Sequence, residues 1–424
     1  MKKMRRVNMF LLVIFLGLVW GLFISRLGLK KIAYNKNLKM GEKCYDNGLY
    51  EKSNYYYEKI LETNKEDRIY LSLAKNYLEL EDYYRAEDLS LEANFKKRKE
   101  IADGLVDYYL AEEDYESLRS YLKKMKKVDQ DLYSHYLIDL KGLYQLKNYS
   151  FEQVVLNKLN DRFFLVKRQE GWGILDENNN MVVKPIYQWI GDFESLDRIP
   201  VKKDGNLDYI NKEGHRQVEI KGGDFLLGIF ADDSYILNSK KEVGLYNFLG
   251  EKIDGPHGRM EKLSSEELLV GDKKPVIVNK KTGKTEKLEY ALVDREKILY
   301  KKLILLEDGE ELVYNIKEKN YSKRYDQVDL ARYSAVNQRG KWGYIDENFN
   351  EVIQVGYEDA RASQGNLMPV KVKDKWGFID LSNKLVVEEI FEDASELNRK
   401  NMGFVKIEGG WDKIEFILGD MIDG

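Results

Sequence analysis

Three histidines, one cysteine and an abundance of carboxylates bound the chemistry open to this chain. His135, His215 and His257 stand far apart, and none sits in a metal-binding spacing such as H-E-x-x-H. Cys44 is the only cysteine, which excludes an intrachain disulfide and a multi-cysteine metal centre. No G-x-S-x-G, phosphate-binding glycine loop or dinucleotide fingerprint occurs, so acyl transfer, nucleotide chemistry and hydride transfer lack their usual residues. Two stretches open like a calcium loop: Asp176, Asn178 and Asn180, and Asp346, Asn348 and Asn350, offer oxygen ligands at alternate positions. Both then fail, because the sixth position holds Met181 or Glu351 where the loop needs glycine, and the twelfth holds Tyr187 or Tyr357 where it needs a bidentate carboxylate. Side-chain to backbone hydrogen bonding in a tight turn accounts for these residues instead. The expectation is a chain without cofactor or metal.

Charge and hydropathy narrow the partners. Lys and Arg total 69 against 73 Asp and Glu, a formal net charge of -4, so no global attraction to a phosphate backbone exists and nucleic acid is not an expected partner. The cluster of Lys123, Lys124, Lys126 and Lys127 reads as a solvated helix end. A membrane is expected. Lys2, Lys3, Arg5 and Arg6 precede an uncharged apolar run over residues 9–24. That run rises only about 24 Å as a helix, whereas extension to Leu29 gives about 31 Å with Arg26 snorkelling, enough for a hydrocarbon core of roughly 30 Å. Residues 8–29 are therefore read as one transmembrane helix, and residues 1–31 as cytoplasmic tail and anchor. No small-x-small cleavage site follows the run, and no lipobox cysteine, so the segment is read as retained. Arg26, Lys30 and Lys31 nearly balance the N-terminal cations, but a short tail tends to stay inside while a long domain is translocated regardless of its charge. This places the chain in the plasma membrane as a single-pass protein with its bulk extracytoplasmic; the reverse topology, a cytoplasmic assembly platform, is the alternative.

The elements that position any site fall into two classes. Over about residues 35–157 the apolar residues follow a helical period, and a short phrase returns around Tyr50, Tyr83, Tyr115 and Tyr149, at spacings of 33, 32 and 34. Gly41 and Ala74 stand 33 apart on first helices, and Ser53 and Ala86 on second helices, where small side chains allow close approach. Tyr45, Tyr57, Tyr77 and Leu89 fill the space between. These residues resemble the tetratricopeptide repeat, with units at about 37–66, 70–99 and 102–128 and a partial one near 135–157; the first-helix Trp and closing Pro of that family are missing. The resemblance implies a groove lined by first helices that binds extended peptides. Its offsets fall on Glu42 and Tyr45, then on Lys75, Leu78 and Glu79. The Lys and Asn set with which some members grip a C-terminal carboxylate is not assembled.

Near residue 160 the pattern changes to two-residue alternation punctuated by Gly, Asn and Asp. Gly171-Trp172-Gly173-Ile174-Leu175-Asp176, Lys341-Trp342-Gly343-Tyr344-Ile345-Asp346 and Lys375-Trp376-Gly377-Phe378-Ile379-Asp380 are near-copies. Weaker copies begin at Leu207, Val243, Val276 and Leu312, and a degenerate one at Trp411, giving about eight units over residues 160–420. Each unit reads as a three-stranded meander whose second strand carries the Trp. After the third strand an aromatic recurs, at Tyr187, Tyr325, Tyr357 and Phe391, placed to pack on the next unit. These residues resemble the WG, or KWG, repeat family. The resemblance implies a β-propeller-like ring, with an open β-solenoid as the alternative because three strands are few for a propeller blade.

The sequence thus predicts a multidomain α plus all-β chain: a transmembrane helix, an α-solenoid and a β-ring. Both repeat classes bury cores through neighbour contacts and leave wide exposed faces. The function read from this is non-enzymatic binding of a peptide, protein or envelope ligand. The alternative is an envelope-acting glycan or peptide hydrolase with acidic residues in the β-domain.

Overall fold

A computed structural model of the chain describes residues 29–421, apart from 93–96, 221–224, 228–233, 240–241, 248, 265, 272, 293–297 and 300–301. The expected anchor lies outside the described residues but for Leu29, and among those described no helix is long and apolar enough to cross a membrane. The chain divides into two compact units, Met1–Asp139 and Leu140–Gly424.

The first unit holds helices α1 (residues 29–46), α2 (Tyr50–Leu61), α3 (Asp67–Glu79), α4 (Tyr83–Ser90), α5 (Arg98–Ala111), α6 (Tyr115–Val128) and α7 (Gln130–Leu140). Asp82 and Asp114 start α4 and α6 by accepting hydrogen bonds from the backbone N–H of Arg85 at 3.2 Å and of Ser117 at 3.1 Å. Small residues set the spacing. A Cβ on Gly41 would meet the Tyr57 ring at 2.7 Å, and the Ser53 hydroxyl donates to the Gly41 carbonyl at 2.9 Å. Ala74 and Ala86 are completely buried. The tyrosines of the core find partners for their hydroxyls, Tyr77 on Glu58 at 2.8 Å and Tyr109 on Glu87 at 2.7 Å.

Short turns follow α1, α2, α3 and α5 and reverse the chain at each, which sorts them to two edges. At one edge the start of α1 meets the α2–α3 turn, where Tyr34 donates to Glu66 at 2.6 Å, and the start of α5 meets the α6–α7 turn, where Arg98 pairs with Asp129 at 3.4 Å. At the other edge lie the α1–α2, α3–α4 and α5–α6 turns, and there Tyr83 stacks on Tyr108 with ring centroids 3.4 Å apart.

The second unit is a ring of eight antiparallel sheets. Blades 1 to 7 cover residues 153–187, 189–219, 225–257, 260–287, 291–321, 327–357 and 359–391, each a meander of four strands, with an extra two-residue strand in blade 5. Blade 8 takes three strands from residues 393–416 and its fourth from Tyr144–Phe151, which pairs antiparallel with Gly410–Phe416. The core lies between blades. Leu165, Ile174, Ile199 and Val201 fill the gap between blades 1 and 2, Leu207, Tyr209, Tyr235 and Leu237 the next, and so on to Phe151, Phe164, Val166 and Phe404 between blades 8 and 1. Eight such apolar layers join eight blades, so the ring is closed and the open solenoid is ruled out.

Two expectations are corrected. Each unit has four strands and not three; the unread strand comes first and in blades 2, 7 and 8 is only the pair Trp189–Ile190, Asp359–Ala360 or Asp393–Ala394. The helical region stops at Leu140 instead of 157, because the segment around Tyr149 is the ring-closing strand. Its bulge, with Ser150 at φ +50, is held by Asp412, whose Oδ1 accepts the backbone N–H of Tyr149 at 2.8 Å and of Ser150 at 2.9 Å.

Candidate functional site

The repeat-defining residues are placed first. Trp172, Trp342 and Trp376 lie on third strands, opposite Tyr187, Tyr357 and Phe391 of the outer strands. Trp411 stands opposite Phe151, so the closing strand ends on an aromatic as the other outer strands do. Trp376 is 2% exposed, with the Arg361 guanidinium 4.4 Å above its ring, while Trp172, Trp342 and Trp411 are half-buried. The neighbouring glycines are required by close approach. Outer strands bulge over Gly173, Gly343 and Gly377, where an added Cβ would fall 2.6, 2.5 and 2.6 Å from the carbonyl oxygens of Val183, Ile353 and Val387.

The calcium-like stretches are turns closed on themselves. Asp346 Oδ1 accepts the backbone N–H groups of Asn348 and Asn350, both at 2.8 Å, and Asp176 Oδ1 accepts that of Asn180 at 2.7 Å. Asn179 and Phe349 take the left-handed conformation at φ +71 and +68. These carboxylates are committed to their own backbone.

A second recurring device escaped the sequence reading. In blades 1, 6 and 7 the residue after the outer-strand aromatic reaches the tip of the next blade's hairpin: Gln188 accepts the N–H of Gly205 at 2.9 Å, Glu358 that of Asp374 at 3.2 Å, and Glu392 that of Gly409 at 3.2 Å. The backbone N–H groups of Asp374 and then Lys373 hold the Glu358 carboxyl below its ordinary range. The signal was an aromatic followed by Glu, Asp or Gln, as in Tyr357-Glu358 and Phe391-Glu392.

Charge gathers near the axis of the ring, on the first strands and on the segments that follow them. Lys158 of blade 1 pairs with Glu396 of blade 8 at 3.3 Å, and its backbone N–H donates to Asp192 of blade 2 at 3.0 Å. Burial works against the Lys158 charge, but Glu396, Asp329 of blade 6 and Asp192 outweigh it and hold the ammonium's pKa above its ordinary value. Groups from blades 1, 2, 6 and 8 can act on one another only close to the axis. Asp192 is pushed up, chiefly by burial, against the pull of Lys158. Arg361 of blade 7 pairs with Asp359 at 3.0 Å and with Asp393 of blade 8 at 3.4 Å. Asn157 locks blades 1 and 2 by donating to the Phe193 carbonyl at 2.8 Å and accepting its N–H at 3.1 Å. No motif in the sequence marked these residues.

In the helical unit the five proposed groove residues fall on α1 and α3. Glu42 lies 4.0 Å from Arg68, and Lys75 lies 3.5 Å from Glu100 of α5. Tyr45 packs edge-on against Tyr50 at 5.5 Å. A Cβ on Gly104 of α5 would meet Leu78 at 3.3 Å, and Glu79 is exposed. The face is thus a run of polar contacts between first helices, open to solvent at Glu42, Lys75 and Glu79.

The model of the WG containing repeat matches residues 172–206, 342–376 and 376–411, which begin on Trp172, Trp342 and Trp376. The ring carries WG repeats. Among solved structures, this chain is similar to BamB from Moraxella catarrhalis, with TM-score 0.42 and 9% identity over 64% of this chain and 98% of that one. PorZ, an essential bacterial surface component of the type-IX secretion system of Porphyromonas gingivalis, gives TM-score 0.34 and 12% identity over 64% of this chain and 46% of that one. The Pan2 WD40 domain of Neurospora crassa gives 0.34 and 8% over 63% and 89%. No curated protein matches the sequence. The eight-bladed propeller with its WG repeats rests on the strand pairing and apolar layers of this chain.

Proposed function

We propose that this chain is a membrane-tethered, non-enzymatic interaction protein. Residues 8–29 anchor it in the plasma membrane, its bulk stands on the extracytoplasmic side, and helical hairpins of tetratricopeptide type and the WG ring each offer a surface to a protein or peptide partner. The observation that carries the reading is the division of labour in the ring. The Trp-Gly residues that define the repeats are spent on packing outer strands, while blades 1, 2, 6 and 8 bring Lys158, Asp192, Asp329 and Glu396 together near the axis. Many charges of both signs, held by different blades, suit recognition of an extended polar surface and supply no matched acid and base.

The test is photo-crosslinking of the full chain in its native membrane, with the reactive side chain at Glu194 or Arg399, exposed residues of the axial segments, and at Glu42 of the helical face. A discrete protein or peptide adduct at one of these positions, absent from a control on a blade's outer edge at Lys384, supports the reading. Equal, diffuse labelling everywhere contradicts it. Topology is checked by protease treatment of intact and lysed cells, where cleavage before lysis supports the extracytoplasmic placement and protection until lysis refutes it.

A further inference from the structure

We propose that Lys413 of blade 8 and Asn179 of blade 1 are the two partners of an intramolecular isopeptide bond, with Glu415 as its proton carrier, so that the ring closes covalently as well as by strand pairing. This goes beyond the binding role and does not rest on the anchor.

The three side chains meet where the two ends of the ring join. Lys413 and Glu415 stand two apart on Gly410–Phe416 and face blade 1, while Ile414 between them packs toward blade 7. Asn179 sits in the turn after Gly171–Asp176, 234 positions from Lys413 along the chain. Lys413 Nζ donates to Asn179 Oδ1 at 2.8 Å. The same nitrogen lies 2.8 Å from Glu415 Oε1, to which Asn179 Nδ2 also donates at 2.8 Å. One carboxylate oxygen thus touches both the attacking nitrogen and the leaving one. The carbonyl carbon of Asn179 is within about 4 Å of Nζ, since it stands one C=O bond of about 1.23 Å beyond an oxygen already in contact. The Tyr149 hydroxyl donates to Oδ1 at 3.4 Å, where negative charge develops on attack.

The surroundings suit this chemistry. Lys413 is completely buried, its ammonium 5.6 Å from the centre of the Phe164 ring, in a layer with Phe151 and Phe404. That burial pushes its pKa down against the pull of Glu415, which favours the nucleophilic amine. The same strand position holds Ile174, Tyr344 and Phe378 in blades 1, 6 and 7, so packing alone asks for no lysine there. At the turn position of Asn179, blade 6 has Phe349, and in blade 7 Asn383 accepts the Tyr357 hydroxyl at 2.6 Å. With Cys44 its only cysteine, the chain has no disulfide with which to tie these blades.

The step balances without a co-reactant. Glu415 takes a proton from the ammonium, the free amine attacks Asn179 Cγ, and the carboxylate passes the protons of Nζ to Nδ2. The Nζ–Cγ bond forms, the Cγ–Nδ2 bond breaks, an ammonium ion departs, and Glu415 ends ionised as it began.

The test is the intact mass of the purified full chain together with a proteolytic map. The bond predicts the loss of one ammonia, about 17 Da, and a peptide that joins the segments around 179 and 413. Lys413→Met and Asn179→Gly should each carry the full mass, the second with a residue at home in the left-handed turn. Glu415→Gln should form the bond at least about a hundredfold more slowly, at unchanged hydrogen-exchange protection of residues 410–416. Full mass, with the two segments recovered apart from a chain whose 410–416 amides are protected, overturns the inference. So does a gain of about 1 Da at residue 179, which means that water and not Lys413 takes the amide. Bond formation at the parent rate in Glu415→Gln overturns the part given to Glu415.

Discussion

Blades 1, 6 and 7 carry Trp-Gly, blades 2 to 5 do not, and yet all are antiparallel meanders joined by apolar layers of the same kind. What differs is the outer strand. It is seven residues long in Met181–Tyr187, Glu351–Tyr357 and Leu385–Phe391, but six in Lys252–His257, four in Arg216–Glu219, three in Thr285–Lys287 and two in Asn320–Tyr321. Where Trp pairs with an outer-strand aromatic over a glycine-accommodated bulge, the outer strand holds its full length. Where Leu207 or Glu311 takes the Trp position, pairing is shorter, whereas blade 3, with Val243 there, keeps the bulge beside Gly244 and a nearly full outer strand. The glycine that admits the bulge therefore goes with a long rim, and Trp adds an aromatic pair to it, while the alternating aliphatic residues of the inner strands fix the ring.

The comparison breaks most directly at Trp376. Trp376→Ala empties a buried site packed against Phe391 and Arg361 and should cost about 3 to 5 kcal/mol in urea unfolding. An unchanged unfolding midpoint would mean the indole does not hold the blade. Leu207→Ala, at the same repeat position in blade 2, should cost about 2 to 3 kcal/mol, since it leaves a smaller void and a shorter outer strand to lose. A larger loss than at Trp376 would reverse the ranking of the two blade types.

Glycine sharpens the contrast. Gly377→Ala drives a Cβ against the Val387 carbonyl and should cost about 1 to 3 kcal/mol, with faster hydrogen exchange confined to Leu385–Phe391. Gly244→Ala in blade 3 meets only the Tyr246 ring, which can turn aside, and should cost under about 1 kcal/mol. Equal costs would show that the bulge over Gly377 yields.

A pH-dependent effect concerns the residue that ends the Trp-bearing strand, Asp176, Asp346 and Asp380 in the WG blades but Asn211, Asn247, Asn279 and Asn315 at that position in blades 2 to 5. Burial raises the Asp380 pKa, but the Lys141 ammonium and the backbone N–H groups of Lys384 and Ser382 outweigh it and hold it below the ordinary aspartate value. A depressed folded pKa gives stability that is present above the unfolded value of about 3.9 and is lost as pH falls through the folded one. Asp380→Asn should therefore lower stability by about 1 kcal/mol at neutral pH, and the gap to the parent should close below about pH 4. A gap that persists in acid would mean the charge plays no part.

Legibility followed the same division. The near-copies around Trp172, Trp342 and Trp376, the count of about eight and the aromatic that ends the outer strand in blades 1, 6 and 7 were readable because they repeat in one chain segment. The first strand of each blade was not, since two residues such as Asp359 and Ala360 cannot display an alternation. The closing strand was misread because Tyr149 falls 34 residues after Tyr115 and so continues the helical count, while its partner, Gly410–Phe416, lies more than 250 residues away. The axial charges were silent for a further reason: Lys158, Asp192, Asp329 and Glu396 share no motif and meet only when the ring closes.

Closure by that strand is the claim on which the ring, the rim and the axial site all depend. Hydrogen exchange of the intact chain tests it most directly. If Tyr144–Phe151 is the fourth strand of blade 8, its paired amides will be protected and will open together with those of Gly410–Phe416, at a rate like that of the other blades. Exchange of residues 144–151 at the rate of an unfolded peptide, with 410–416 still protected, would contradict the account.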